Sequence, residues 1–451
     1  MAKQQTDIEA QPPGEQPDSY TEYNVPEQWT NLDELAVPAP VPDTSGQAWS
    51  HSNDFEATRL QEQQRTGNAE SVAASRRSVE TGTTRDPRAS RAATWLYTIS
   101  YLVFFSMLGT LARLGLAALT SYPGAPVIFS TLWANVGGSL VMGFLAEERV
   151  LFRHGFGGSE DGQHAKPAEA GNGSGLVGQT VGFDSAATKK AHLAMKKTVP
   201  LYIGLATGFC GSFTSFSSFV RDAFLALSND MTVPGVDGPI VGRNGGYSFM
   251  AMLAVVITTV ALSLAALIVG GHLAVAMEPI TSSLSYRVVR KILDPLVVIL
   301  AWGCWLGAAM LSIFPPHDAW RGITTFSLVF APLGCLARFY LALHLNGRVA
   351  SFPVGTFAAN VAGTAVLGIA WDIAHAPVGG TVACQVLQGV EDGFCGCLTT
   401  VSTWVAELSG LRRRHAYVYG TASVVVSLVL LIAIMGGLAW SLGFSPVVCT
   451  V

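Results

Sequence analysis

Long apolar stretches separated by short polar segments set the pattern of the chain from residue 94 onward. One of them runs from Met250 to Met277 without an Asp, Glu, Lys or Arg. A helix needs about 20 apolar residues to cross the hydrocarbon core of a bilayer. The pattern predicts an all-α polytopic membrane protein with nine spans. These spans are expected at 94–119, 126–146, 199–226, 247–275, 294–314, 322–344, 353–372, 383–409 and 416–443.

Three other segments lack this apolar pattern. Residues 1–92 are rich in polar residues and have few clustered apolar ones, so we expect a disordered cytoplasmic tail. Residues 150–197 form a Gly- and Lys-containing loop that we also expect in the cytoplasm. Residues 446–451 are expected to be a short C-terminal tail.

The composition agrees with a membrane protein. Charged residues make up only 13% of the chain and hydrophobic residues 50%, whereas a soluble domain carries about 25% charged residues. The seven cysteines form neither a spaced zinc motif nor a secreted disulfide framework, so we expect free, mostly buried thiols. The chain has no phosphate-binding glycine loop, and we expect no enzyme activity, no catalytic cofactor and no nucleic-acid partner.

Two similar cassettes interrupt the apolar pattern of the third and eighth spans. They read GFCGSFTSFSSF, from Gly208 to Phe219, and GFCGCLTTVSTW, from Gly393 to Trp404. Glycines followed by hydroxyl residues disfavour a continuous helix. In lipid, a broken helix persists only where it is buried in protein or lines a wet cavity. We therefore predict a broken third helix in each of two repeats.

Other repeated blocks extend the duplication. An offset of 225 residues relates Arg113 to Arg338 and Asn135 to Asn360, and the cassettes repeat at an offset of 185. The long loop of the first copy accounts for the difference between the offsets. The chain is therefore predicted to be a duplicated four-span unit with one unmatched linker span. The predicted boundaries are 93–277 for the first repeat, 278–318 for the linker and 319–445 for the second repeat.

A single linker span makes the second repeat inverted relative to the first. The distribution of basic residues tests this, because cytoplasmic loops are enriched in Lys and Arg. Every strong basic cluster falls on one side only if the repeats are antiparallel, with Arg221 and Arg243 as weak exceptions. The N-terminus is then cytoplasmic and the C-terminus extracellular. The clusters are Arg76, Arg77, Arg85, Arg88 and Arg91; Lys189, Lys190, Lys196 and Lys197; Arg287, Arg290 and Lys291; and Arg412, Arg413 and Arg414.

The repeated residues suggest an ion route. Carbonyls freed by the breaks could bind a monovalent cation, and the rings of Phe216 and Phe219 have positive edges that could hold a small anion. Hydroxyl groups lie beyond the breaks at Ser217, Ser218, Ser402 and Thr403.

The repeated polar residues of the other spans have two readings each. Asn135 and Asn360 could line a pore or hold helices together, with Thr131 and Thr356 one turn earlier on the same face. Arg113 and Arg338 could attract anions or serve structurally by snorkelling to the interface.

The doubled cassette, the doubled asparagine and the doubled arginine resemble the fluoride channels called Fluc. The fused form with a linker span resembles the eukaryotic fluoride exporters, FEX. The resemblance covers about residues 94–443, apart from the insertion loop. It implies a passive, fluoride-selective channel with a central structural sodium ion, held by the backbone carbonyls of Gly211, Thr214, Gly396 and Thr399.

Carried over by this resemblance, Phe216 and Phe219 coordinate fluoride, and Asn135, Asn360 and the hydroxyl residues line the pore. The family's acidic residue falls on Asp222 and Glu407, which could also simply cap or anchor helix ends. The family's fourth-span tyrosine and serine match Tyr419 and Ser423, whereas the first repeat has Tyr247 and Ala251. The second cassette has Val401 and Trp404 at the ring positions, which predicts two unequal pores with one conducting.

The resulting expectation is a plasma-membrane channel that exports fluoride passively, gives fluoride resistance and works as a monomer in the lipid bilayer. The main alternative is an ion-coupled transporter or small-molecule exporter built on the same inverted repeat. It needs a titratable acid at mid-membrane, and Asp222 and Glu407 are expected to lie too near the helix ends. An intramembrane hydrolase using Cys395 and a structural receptor subunit are further alternatives.

Overall fold

The computed structural model describes residues 87–129, 131–152, 195–232, 234, 242–315, 320–376, 380–447 and 449. Helices are the regular elements of these residues, with no strand among them. They are α1 (Pro87–Thr120), α2 (Thr131–Glu147), α3 (Pro200–Ser228), α4 (Gly245–Met277), α5 (Tyr286–Ile313), α6 (Arg321–Arg348), α7 (Val354–His375), α8 (381–410) and α9 (Arg413–Ser441). The predicted tail up to residue 86, most of the predicted 150–197 loop and part of the 446–451 tail lie outside the described residues.

Seven of these helices are long and apolar enough to cross a membrane: α1, α3, α4, α5, α6, α7 and α9. The chain is therefore a multi-pass membrane protein. The other two predicted spans correspond to α2, which has 17 residues, and to α8, which is interrupted between Leu398 and Ser402.

Three helix starts differ from the prediction. α1 begins at Pro87 rather than at 94, so residues 87–92 are helical and not part of a disordered tail, because proline suits the first turn of a helix and the alanines that follow favour it. α2 begins at Thr131 rather than at 126, because Pro123 and Pro126 lie in the preceding non-helical segment and proline disfavours helix at the residue before it.

α5 begins at Tyr286 rather than at 294, so the basic segment before the predicted span is helical and not a loop. Arg290 pairs there with Asp294 one turn later at 3.5 Å, and Tyr101 of α1 donates to Asp294 at 3.0 Å.

Both cassette helices are interrupted, as predicted. Each has a seven-residue π-helical segment, Gly204–Cys210 in α3 and Gly389–Cys395 in α8, followed by a three-residue α-helical stretch. The next residues, Thr214 and Thr399, are extended, with φ, ψ of −92°, 152° and −95°, 153°. Helix then resumes as α3b (Phe216–Ser228) and α8b (Ser402–Gly410).

The interrupted helices form the interior of the molecule. α3b packs between α4 of its own half and α7 and α9 of the other half, and α8b packs against α2, α4 and α9. α5 packs on α1 and α6 and leaves side chains such as Ile299 exposed, at 71%. Because α3b and α8b each pack against helices of the other half, residues of both cassettes meet at the centre.

The cysteine prediction is wrong for one pair. Cys384, near the start of α8, forms a disulfide with Cys449 of the C-terminal segment, with Cα atoms 5.1 Å apart. The two residues are 65 positions apart, so no local spacing motif predicts the bond. The other five cysteines are free: Cys210, Cys335, Cys395 and Cys397 are buried and Cys304 is exposed.

Candidate functional site

The two breaks contact each other through their threonines. The Thr214 hydroxyl accepts hydrogen bonds from the backbone amides of Val401 and Ser402, both at 3.1 Å. The Thr399 hydroxyl accepts from the amide of Ser217 at 3.0 Å. The first amides of a helix have no partner within it, so each threonine caps the helix that resumes in the other half.

The predicted asparagines hold the breaks open. The Asn135 carboxamide oxygen accepts from the Ser215 amide at 2.9 Å, and its nitrogen donates to the Ser215 carbonyl at 3.4 Å. Asn360 binds Thr400 in the same way, at 2.9 and 3.3 Å. Both asparagines are fully buried. These contacts correspond to the predicted role of the two asparagines in holding helices together. If the asparagines also line a pore, the same carboxamides must serve both roles.

Side chains also take the amides that would otherwise bond four residues back along each helix. Asn135 takes the amide that would bind the Gly211 carbonyl, and Asn360 does so for Gly396. The Ser215 hydroxyl accepts from the Ser218 amide at 3.2 Å, and the Thr400 hydroxyl accepts from the Thr403 amide at 3.4 Å. In a continuous helix these two amides would bind the carbonyls of Thr214 and Thr399.

The four carbonyls so released are those of Gly211, Thr214, Gly396 and Thr399, the predicted sodium ligands. Carbonyls of unwound helix segments are suitable ligands for Na⁺. The residues present therefore fit a monovalent cation. By contrast, the described residues contain no cluster of three or more His, Cys, Asp or Glu side chains suited to a metal.

The predicted arginines lie against the breaks, and both are 3% exposed. Arg338 donates to the carbonyls of Thr207 and Cys397, each at 2.9 Å, and Arg113 donates to the carbonyl of Asp392. A Cβ atom on Gly211 would collide with the Arg338 guanidinium, and one on Gly396 with that of Arg113. Each arginine thus crosses to the interrupted helix of the other half, and its guanidinium occupies the space that a side chain at the facing glycine would need.

The aromatic positions of the two cassettes meet beside the breaks. The Phe216 ring contacts the Trp404 ring edge to face, with centroids 5.2 Å apart, and the Phe219 ring at 5.5 Å. Trp404 is 1% exposed, and its indole nitrogen has no hydrogen-bond partner among the described residues. By the 185-residue offset, the counterparts of Phe216 and Trp404 are Val401 and Phe219, both of which are also buried.

The predicted hydroxyl residues are all buried, and they hold the breaks together. Ser217 bonds the Thr399 hydroxyl at 3.0 Å, and Ser402 donates to the Cys210 carbonyl at 3.1 Å. Ser218 bonds Ser215 at 2.8 Å, and Thr400 donates to Thr403 at 3.5 Å.

A first polar network surrounds Glu407, and we call it the Tyr419 network. The Glu407 carboxyl accepts from Thr356 and from the Tyr419 hydroxyl, both at 2.6 Å. The Asn346 carboxamide donates to the Thr356 hydroxyl at 3.2 Å and accepts from the Thr356 backbone amide at 2.8 Å. Tyr419 is fully buried, and Ser423 donates to its carbonyl at 2.8 Å.

A second group surrounds Asp222, and we call it the Arg221 cluster. It consists of Thr131, Arg221, Asp222, Trp371, Glu391 and Asp392. Thr131 donates to Asp222 at 2.5 Å, as Thr356 does to Glu407. Arg221 then pairs with Asp222 at 3.1 Å and lies over the Trp371 ring at 5.3 Å. Tyr247, the sequence counterpart of Tyr419, is 67% exposed.

Both acids are buried, at 6% exposure, and not exposed helix caps. The sequence analysis did not identify Ser215 and Thr400 as helix caps. A hydroxyl residue at a helix start commonly accepts a hydrogen bond from the backbone amide three residues later. The sequence analysis also missed Asn346, Trp371, Glu391 and Asp392. Their partners lie in other helices, so no local motif marks them.

The chain is similar to proteins of a known family. The family model for CrcB-like protein, Camphor Resistance (CrcB), matches residues 100–271 and 325–438. Fluoride export protein 1 of Neurospora crassa is 59% identical over 376 residues, which are 80% of this chain and 70% of that protein. Fluoride export protein 1 of Schizosaccharomyces pombe is 32% identical over 362 residues, 78% of this chain and 99% of that protein.

A shorter bacterial relative matches one part of the chain. The fluoride-specific ion channel FluC of Pseudomonas aeruginosa is 37% identical over 128 residues, which are 28% of this chain and 98% of that protein. No solved structure matches the chain. The chain therefore belongs to the CrcB-like family and, within it, to the fused fluoride export proteins of eukaryotes.

Proposed function

We propose that this protein is a passive, fluoride-selective channel that exports cytoplasmic fluoride and so gives fluoride resistance. The observation that carries the proposal is the contact of Phe216 and Trp404 across two facing helix breaks, where the buried Trp404 indole N–H has no hydrogen-bond partner within the described part of the chain. A small anion needs a donor in a water-poor site, and positive ring edges and one N–H supply it without a full counter-charge. The names of the relatives agree with this choice.

We further propose two inverted repeats with nine spans, α2 and α8 included. The bacterial relative is spanned almost completely by 128 residues, as expected if the chain holds two such units. The positive-inside bias supports a cytoplasmic N-terminus and an extracellular C-terminus. The Cys384–Cys449 disulfide supports that orientation, since disulfides persist on the oxidising side of a membrane. Export from the cell requires the plasma membrane.

A structural sodium ion at the four released carbonyls is part of the proposal. The carbonyls of Gly211, Thr214, Gly396 and Thr399 would hold it, and its charge would fix the crossing of the two breaks. The guanidinium groups of Arg113 and Arg338 cover the same glycines from outside. The ion serves structure, and conduction runs beside it.

Two conduction paths of unequal quality follow from the asymmetry of the rings. The first path contains Phe216, Trp404 and the Tyr419 network, because Glu407 follows Trp404 by three residues on the same helix face. The second path contains Val401, Phe219 and the Arg221 cluster, by the same relation between Phe219 and Asp222. The first path has a full ring pair and a buried tyrosine hydroxyl. We therefore assign conduction to the first path, in a channel that works as a monomer.

No coupled ion is needed for export. Fluoride enters cells as the neutral acid and is trapped as the anion at cytoplasmic pH. A negative-inside membrane potential drives an anion outward with about 2.3 kcal/mol per 100 mV. The channel only has to provide a selective route.

The alternative of an ion-coupled exporter is favoured by one observation. Glu407 is buried and hydrogen-bonded to Thr356 and Tyr419, so a titratable acid does lie in the protein interior. A coupled exporter would need Glu407 to change protonation in each cycle. The variant Glu407→Gln would then abolish transport, whereas in a passive channel it keeps the hydrogen-bonding shape and most of the flux.

The experiment that tests the proposal is anion efflux from liposomes that contain only the purified full-length protein. We expect fluoride efflux driven by a potassium-valinomycin potential, with little chloride efflux and no requirement for a proton gradient. Fast chloride efflux would contradict selectivity. Fluoride efflux that stops when the proton gradient is removed would favour the coupled exporter.

A further inference from the structure

The Arg221 cluster contains charges and bulk that the other half of the molecule lacks. Arg221, Glu391, Asp392 and Trp371 have counterparts at the repeat offsets of 185 and 225 residues. Those counterparts are Ala406, Ala206, Thr207 and Ala146. Only the acid and its threonine partner occur in both halves. Around the shared acid and threonine, four side chains of the Arg221 cluster therefore have no equivalent in the other half.

Arg221 interacts with residues of three helices. Its guanidinium pairs with Asp222 on α3b, lies over Trp371 on α7 and is within electrostatic range of Glu391 and Asp392 on α8. Its side chain is 17% exposed, and that of Asp222 is 8% exposed. Long arginine side chains held by an ion pair and a ring on both sides lose their freedom to move aside.

The charge balance of the cluster is unfavourable for an anion. The Arg221 guanidinium is already paired with the Asp222 carboxylate at 3.1 Å and lies within electrostatic range of Glu391 and Asp392. A guanidinium paired in this way attracts an anion less than a free one does, and in a buried setting the Asp222 carboxylate repels an anion more strongly than it would in water.

We infer that the Arg221 cluster is a charged lock that closes the second path to anions, an inference that rests on the proposed function. Val401 removes one ring from that path, and the lock blocks its end. Arg221 also binds Asp222 in the second path, as Tyr419 binds Glu407 at the equivalent place in the first path. The same acid–threonine pair thus belongs to an open path in one half and to a closed path in the other.

The test rebuilds the second path from the residues of the other half. The opening substitutions are Arg221→Ala, Glu391→Ala and Asp392→Thr, made together so that removing the guanidinium does not leave Glu391 and Asp392 without a counter-charge. Asp222 keeps the hydrogen bond from Thr131, as Glu407 keeps the one from Thr356. They are combined with Val401→Phe in a Phe216→Val background, in which the first path has lost its ring. We expect fluoride efflux at least tenfold above that of Phe216→Val alone.

A matched control separates closure from misfolding. The three opening substitutions in the otherwise unchanged protein should give a monodisperse protein with at least the wild-type fluoride efflux. If this control conducts and the rebuilt second path does not, the lock is refuted. Restored efflux supports it.

A second measurement does not depend on fluoride. In a Cys304→Ser background, which removes the exposed thiol, Val401→Cys is treated with methyl methanethiosulfonate and its labelling is followed by intact mass. We expect labelling at least tenfold faster when the opening substitutions are present, and equal rates would overturn the lock. If the wild-type protein passed no fluoride while labelling still accelerated, the proposed function would fail and the lock would stand.

Discussion

The Tyr419 network and the Arg221 cluster start from the same pair of interactions and diverge around it. In both, a threonine of the second helix of a repeat donates to a buried acid, Thr356 to Glu407 and Thr131 to Asp222. In the first, the second carboxyl oxygen binds a buried tyrosine hydroxyl. In the second, the acid binds an arginine instead. A neutral donor leaves room for an anion nearby, whereas an ion pair occupies the acid and adds its own bulk.

The comparison teaches where the two halves have stayed alike. The threonine caps, the asparagine carboxamides and the arginines over Gly211 and Gly396 recur in both halves, because the two breaks can only be held open together. The side chains at the ends of the paths have no such reciprocal task. They are where one half could lose conduction without unfolding the other.

The largest expected effect comes from removing the ring of Phe216. Phe216→Val should lower fluoride efflux by about a hundredfold, since losing the ring pair at an anion site raises the barrier by on the order of 3 kcal/mol. Efflux from proteoliposomes measures it. Val401→Phe should leave efflux close to wild type, because the second path remains locked.

Phe219→Val is the matched control, since it removes the same ring from the same helix on the other path. Equal losses in Phe216→Val and Phe219→Val would mean that both paths conduct, and equal effects of Phe216→Val and Val401→Phe would also refute the asymmetry.

The next largest effect tests the acids. Glu407→Ala should reduce efflux by roughly thirtyfold, because it removes the shared acceptor of the Thr356 and Tyr419 hydroxyls, two hydrogen bonds worth together on the order of 2 kcal/mol. Asp222→Ala, the same change in the Arg221 cluster, should reduce efflux much less. Both variants are assayed as purified proteins of checked thermal stability. A larger loss in Asp222→Ala would reverse the assignment of the conducting path.

Much of this arrangement could be predicted from the sequence because it repeats. The helix breaks and the recurrence of Arg113 as Arg338 follow from motifs that occur twice at fixed offsets, whereas the four released carbonyls were implied by the resemblance to the Fluc channels. Apolar length located the helices, and the starts of α1, α2 and α5 differ from the prediction by several residues. Repetition and periodicity are local properties of a chain, so they can be read without coordinates.

The unrepeated contacts could not be predicted. Trp371 meets Arg221, and Cys384 meets Cys449, across long sequence separations, and neither pair has a counterpart to mark it. The burial of Asp222 and Glu407 was also missed, because a single acid near the end of an apolar stretch reads as a cap. Depth depends on how the other half packs against it.

A smaller effect is expected at Trp404. Trp404→Phe keeps a ring but removes the indole N–H, for which the residues that the structure describes offer no hydrogen-bond partner. Losing one hydrogen bond to an anion costs about 1.4 kcal/mol, so efflux should fall roughly tenfold and discrimination against chloride should weaken.

The mirror change, Phe219→Trp, adds an N–H to the locked path and should change neither quantity. The fluorescence of the wild-type protein gives a direct readout, since fluoride near the indole should quench or shift emission that Trp404→Phe no longer contributes. Unchanged efflux and selectivity in Trp404→Phe would mean that the indole N–H is not a fluoride ligand.

The smallest effect separates the hydroxyl of Tyr419 from its ring. Tyr419→Phe removes one hydrogen bond to Glu407 and keeps the packing, at a cost of about 1 kcal/mol, so efflux should fall about fivefold. Tyr247→Phe is the matched control, because that tyrosine is 67% exposed and its hydroxyl should not matter. In a Glu407→Ala background, Tyr419→Phe should have no further effect, since the hydroxyl has already lost its acceptor. If the two changes instead multiplied, the Tyr419 hydroxyl would act on the anion directly and not by holding the Glu407 carboxyl.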